Sequence, residues 1–100
     1  MLKKRFFKTK DEVEVTFEVA QQDWATVAVA GDFNNWQPEP MKLNKKEGQF
    51  RFKTRLPKAQ QVQFRYLFDD THWDNDPQAD TYVANDFGTD NSVVLTEELA

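Results

Sequence analysis

Val13-Glu14-Val15-Thr16-Phe17-Glu18-Val19 sets an apolar residue at every second position, with polar residues between. Side chains of an extended chain point alternately to opposite faces, so this spacing describes a strand with one buried and one wet face. The same period recurs downstream. Phe50, Phe52, Thr54 and Leu56 alternate with Arg51, Lys53 and Arg55, and Val62, Phe64, Tyr66 and Phe68 alternate with Gln63, Arg65 and Leu67. Residues 26–30 (Thr-Val-Ala-Val-Ala) are short, apolar and β-branched, which suits a central strand ending at Gly31. Residues 92–95 form a last short strand. Residues 2–8 form a first one, whose lysines would blunt edge-to-edge pairing if it lies at a sheet edge.

Turn chemistry falls between these runs. Gly31-Asp32-Phe33-Asn34-Asn35 and Gln37-Pro38-Glu39-Pro40 punctuate the middle, 44–48 reads as a polar hairpin turn, and Pro57 and Pro77 end their segments. No stretch carries the helical period, and there is no internal repeat or interdomain linker. Several short strands with turns between them predict an all-β chain, an antiparallel sandwich forming a single domain over 1–100. The tail 96–100 is expected to fray.

The chain's 100 residues bury enough surface to fold without staples, and the absence of cysteine removes disulfides, thiolate metal sites and cysteine nucleophiles. A net charge of -4 is a poor match for a phosphate backbone, so no nucleic-acid partner is expected. No run approaches the ~18 apolar residues of a membrane span, and the expectation is a soluble, cytoplasmic protein. Ser92 is the only serine and His72 the only histidine, with no nucleophile motif around either, so no catalytic residue is assigned. Asp74-Asn75-Asp76 clusters oxygens but lacks the glycine and bidentate glutamate of a calcium loop. Asp69, Asp70, Asp74, Asp76, Asp80, Asp86 and Asp90 are read as loop-solvating and turn-capping, and no metal or cofactor is expected.

Two segments carry aromatics that a two-sheet core does not obviously need. Trp36 stands among turn formers in 31–40, and Trp73, Tyr82 and Phe87 stand in the acidic, irregular segment 69–91. Such residues either fold back as lids on the core or face solvent to meet a ligand. Trp24, just before a strand, is read as packing.

The run Val27-Ala28-Val29-Ala30-Gly31-Asp32-Phe33-Asn34-Asn35-Trp36 resembles the opening of carbohydrate-binding module family 48, which includes the glycogen-binding domain of AMP-activated kinase β subunits and the N-terminal modules of isoamylases and branching enzymes. The similarity continues in order through Pro40-Met41, Gly48-Gln49-Phe50, Leu56-Pro57, Phe64-Arg65-Tyr66, Trp73, Asp76-Pro77 and Phe87-Gly88-Thr89-Asp90-Asn91, covering about 12–95.

The resemblance implies an immunoglobulin-like, early-set β-sandwich that binds an α-glucan such as glycogen, starch or maltodextrin without catalysis. It implies Trp36 and Trp73 as stacking platforms for glucose rings. It also implies Arg65 (usually Lys in the kinase domains), Phe87 (usually Leu), Thr89 and Asn91 as the rest of the site. The chemistry suits these types. The axial C–H face of a pyranose packs flat on an indole, and the hydroxyls need short polar partners. Two departures stand out. The hairpin Phe68-Asp69-Asp70-Thr71-His72-Trp73 is one residue longer than in the kinase domains and lacks the usual turn glycine. The competing expectation is a sandwich that docks a partner protein, such as a glucan-metabolising enzyme.

Overall fold

A computed structural model describes residues 2–97. The chain order is β1 (Leu2–Phe6), β2 (Glu12–Ala20), β3 (Val27–Gly31), a 3-10 turn (Asp32–Asn34), β4 (Glu39–Pro40), β5 (Lys42–Asn44), β6 (Gln49–Pro57), β7 (Gln61–Phe68), β8 (His72–Asp74), β9 (Thr81–Ala84) and β10 (Asp90–Leu95). The strands form two antiparallel sheets packed as a sandwich. One has the order β1-β2-β6-β5; the other runs β4-β3-β7-β10-β9, with β8 paired to β7. No helix of the described residues is long and apolar enough to cross a membrane.

The alternation read from the sequence decides which residues meet between the sheets. Val13, Val15 and Phe17 of β2, and Phe50 and Leu56 of β6, face Val29 of β3 and Val62, Phe64, Tyr66 and Phe68 of β7, all buried. Rings interlock at the centre, with Phe17 edge-on to Phe64 at 4.9 Å and Phe64 edge-on to Tyr66 at 5.5 Å. These geometries suit the aromatic quadrupole. Trp24 packs on Phe68 with ring centroids 4.4 Å apart, as expected for a packing residue.

Four expectations need correction. The strand expected over 2–8 ends at Phe6, and the one expected over 26–30 is Val27–Gly31. The tail is not frayed from residue 96. Thr96 is fully buried, its hydroxyl donates to the Pro57 carbonyl at 2.8 Å, and it accepts the Gln60 N–H at 2.8 Å. Residues 98–100 lie outside the described residues. Among the aspartates, Asp76 caps a turn as expected, its Oδ1 accepting the Gln78 N–H at 2.8 Å, but it does not solvate a loop. It is fully buried and accepts the Tyr66 hydroxyl at 2.7 Å, because β7 points that phenol into the 75–78 segment.

A candidate groove on the outer face of the larger sheet

Alternation points Gln61, Gln63, Arg65 and Leu67 of β7 to the outer face, where Leu67 is itself buried. Along one side of β7 the partner strand changes. β10 pairs with 61–64, and β8 pairs with 66–68. Arg65 stands at the switch between them, and its Nε is buried with no hydrogen-bond partner among the described residues. Trp73 lies opposite Leu67 in the β8 register and so shares this outer face.

The hairpin that carries Trp73 turns without glycine. Asp69 and Asp70 both take positive φ, 52° and 59°, the left-handed pair that a tight antiparallel turn demands. Aspartate tolerates this region better than most residues, and Asp69 gains from it. Its Oδ1 accepts the backbone N–H of Ala25 at 2.7 Å and of Thr26 at 3.0 Å, pinning the turn to the strand entry beside it.

Trp36 is delivered by the motif at the end of β3, where each residue has a separate task. Gly31 allows a close approach: a Cβ there would stand 2.4 Å from the Gln63 carbonyl oxygen. Phe33 turns inward and stacks on Phe17 at 5.5 Å. Asn34 closes the turn, its Oδ1 accepting the Gly31 N–H at 2.9 Å and its Nδ2 donating to the Val29 carbonyl at 3.2 Å. Asn35 and Trp36 then follow at φ 57° and 59°. Asparagine is at ease there, whereas a bulky residue at positive φ carries a cost of order 1–3 kcal/mol. Three bonds hold it in place. The Trp36 N–H donates to the Gly31 carbonyl at 2.9 Å, the indole Nε1–H donates to Asp32 Oδ1 at 3.1 Å, and the other Asp32 oxygen accepts the Gln63 N–H at 2.9 Å. Asp32 thus ties the indole to β7.

The third wall is the β9–β10 hairpin. Asn85 organises it: its Oδ1 accepts the N–H of Phe87 at 2.9 Å and of Thr89 at 3.2 Å, while Gly88 supplies a φ of 78°. Phe87 at the tip is 90% exposed, which a packing role cannot explain. On the floor, Asn91 donates from Nδ2 to Gln63 Oε1 at 2.9 Å and accepts from Asn85 Nδ2 at 3.0 Å.

The result is a groove of about 660 Å³ lined by Asp32, Trp36, Gln63, Arg65, Trp73, Ala84, Asn85, Asp86, Phe87 and Asn91. Five of the residues singled out in the sequence meet here: Trp36, Trp73, Arg65, Phe87 and Asn91. Thr89 does not line it; its hydroxyl lies 2.8 Å from Asn85 Nδ2. Sequence reasoning missed Asp32, Gln63 and Asn85. Asp32 stood in the quoted motif with no role of its own, Asn85 is an asparagine opening a turn, and Gln63 left no trace. Trp36 and Trp73, 36% and 39% exposed, offer indole surface to solvent instead of closing over the core. Flat apolar walls beside an amide and guanidinium floor suit a ligand with apolar faces and hydroxyl edges.

A relative from Saccharomyces cerevisiae, ULP1-interacting protein 4, is 25% identical over 92 residues, covering 86% of this chain and 30% of that protein. The chain therefore spans less than a third of that relative's length. The family model described as the glycogen recognition site of AMP-activated protein kinase, a carbohydrate-binding module, matches residues 13–99, and the chain belongs to that family.

Proposed function

We propose that this domain is non-catalytic and binds an α-glucan in the groove, with glucose rings stacked on Trp36 and Trp73. Arg65 and Asn91 meet the hydroxyls, Phe87 closes over an apolar ring face, and Thr89 acts at the rim through Asn85. The observation that carries this reading is the pair of half-exposed indoles flanking one polar floor. Aromatic stacking on a flat ligand contributes ~1–3 kcal/mol per platform in the related case of nucleobases. Two platforms with a few hydrogen bonds then give a Kd on the order of micromolar to millimolar. A neutral α-1,4-glucan (glycogen, starch or maltodextrin) is indifferent to the chain's net charge of -4. The reading extends to a cytoplasmic setting, with a glucan-metabolising enzyme as the partner the domain serves.

Affinity electrophoresis in a glycogen gel tests the proposal. The wild type should be retarded, and Trp36→Ala and Trp73→Ala should each lose most of that retardation while keeping the wild-type circular dichroism. Equal wild-type mobility with and without glycogen sinks the reading.

A further inference from the structure

The outer face of the smaller sheet, on the opposite side of the sandwich from the groove, carries charge in columns. Its register places Arg5 beside Glu14 and Glu14 beside Arg55, then Lys3 beside Thr16 and Thr16 beside Lys53, then Glu18 beside Arg51 and Arg51 beside Lys42. Basic side chains on β1, β6 and β5 thus flank a central acidic column on β2. Opposite charges stabilise cross-strand neighbours, which holds for Arg5–Glu14–Arg55 and for Glu18–Arg51, whereas Arg51 and Lys42 set like charges side by side. At Thr16 the acidic column is interrupted, and Lys3 and Lys53 face each other across a neutral residue.

Strands lie about 4.8 Å apart, so the backbones of Lys3 and Lys53 stand on the order of 10 Å apart with Thr16 between them. A cavity of about 300 Å³ opens there, lined by the basic Lys3, Arg5, Arg51 and Lys53 and, on β2, by Thr16 between Glu14 and Glu18. Lys3 leans 3.5 Å to Glu18, which Arg51 already holds at 2.6 Å. Lys53 and Arg5 make no ion pair among the described residues. Arg5 instead sits over the Phe7 ring at 5.4 Å, as does Arg55 at 4.8 Å; Arg55 also pairs with Glu12 at 3.7 Å. Lys3, Arg5, Lys42, Arg51, Lys53 and Arg55 outnumber Glu12, Glu14 and Glu18 two to one on this face, in a chain whose net charge is -4. The surface is therefore a basic island on an acidic protein.

We propose that this face docks an acidic segment of a partner protein, with one carboxylate seated over Thr16 between Lys3 and Lys53. The glutamate column decides between partner classes. A uniformly anionic polymer would run against Glu12, Glu14 and Glu18, whereas a polypeptide brings carboxylates to the gap and neutral or basic groups to the glutamates. The face is separate from the groove, so both can be occupied at once, and the inference does not rest on the groove's ligand.

The test uses a fluorescein-labelled peptide of alternating Glu and Thr, followed by anisotropy at low salt. Binding should weaken about tenfold between ~20 and ~200 mM NaCl, as expected for exposed charges. Lys53→Glu, at an exposed site, should weaken it about tenfold by reversing one wall. Thr16→Glu should do the same by supplying the missing carboxylate in cis. Amide shifts on titration should centre on Lys3, Thr16 and Lys53 and leave Trp36 and Trp73 unmoved. Failure of the wild type to bind at low salt, indifference of binding to Lys53→Glu, or shifts centred on the groove would each overturn the proposal. Stronger binding of inorganic tripolyphosphate than of the peptide would overturn the choice of partner.

Discussion

Replacing Asp32 with alanine removes both acceptors that join the Trp36 indole to β7, the bonds of 3.1 Å to Nε1 and 2.9 Å to the Gln63 N–H. Charge-assisted hydrogen bonds contribute about 1.5–3 kcal/mol when desolvated. Asp32 is exposed, which lowers each to roughly 0.5–1 kcal/mol. The stability cost of Asp32→Ala is therefore about 1–2 kcal/mol. The effect on binding is separate. Trp36 keeps its aromatic surface but is no longer held in its left-handed backbone, so the ligand must order it. Immobilising one such side chain costs ~0.5–1.5 kcal/mol, or about 2- to 13-fold in Kd. Trp36→Ala removes the platform itself and should cost ~1–3 kcal/mol, about 5- to 150-fold. Maltoheptaose titrations by calorimetry should therefore rank wild type, Asp32→Ala and Trp36→Ala in that order, with urea melts reporting the stability difference. An Asp32→Ala protein that matches the wild type in both measurements refutes the clamp, and one that binds as poorly as Trp36→Ala shows that Asp32 does more than position the indole.

Other substitutions probe the scaffold. Tyr66→Phe removes the 2.7 Å bond to buried Asp76 and should lower stability by about 2 kcal/mol in urea melts. Burial first, then the charge and hydrogen bond of Asp76 and the charge of Glu18, push the Tyr66 phenol well above 10.0. The folded protein therefore keeps this proton where the unfolded chain releases it. The stability it confers is fully present below pH ~10 and falls as pH rises above it; Tyr66→Phe should flatten that part of the profile. Gly31→Ala drives a Cβ to 2.4 Å from the Gln63 oxygen and 2.9 Å from Phe64 Cβ, so β3 must shift from β7. It should cost about 3 kcal/mol and weaken glucan binding by moving Trp36. Asp70→Gly relieves a residue at φ 59° and should raise the thermal midpoint, gaining roughly 0.5–1 kcal/mol, because only Asp69 of that turn makes the side-chain bonds.

The long strands were legible because burial on one face forces a period of two, and β2, β6 and β7 are long enough to display it. The missed strands were too short or too exposed to do so. β4 and β8 span two and three residues, and β9 is exposed along its whole length. Trp36, Trp73 and Phe87 were visible because large aromatics among turn formers are out of place by type. Asp32 and Gln63 are ordinary residues in sequence, and their bond spans 31 positions. Thr89 was expected beside the ligand; its hydroxyl lies 2.8 Å from Nδ2 of Asn85, which lines the groove.

Residue order alone determined the two-sheet plan, the inward set from Val13 to Phe68, and the family motif that ends at Trp36. Those properties depend on neighbours along the chain: alternation, turn chemistry and side-chain volume. The tertiary structure alone decided that Arg65 stands where β10 gives way to β8, that Asp32 locks an indole to a distant strand, and that Thr16 leaves a gap between two lysines. Each of these is set by which strand lies beside which, and cross-strand register depends on packing between segments far apart in sequence.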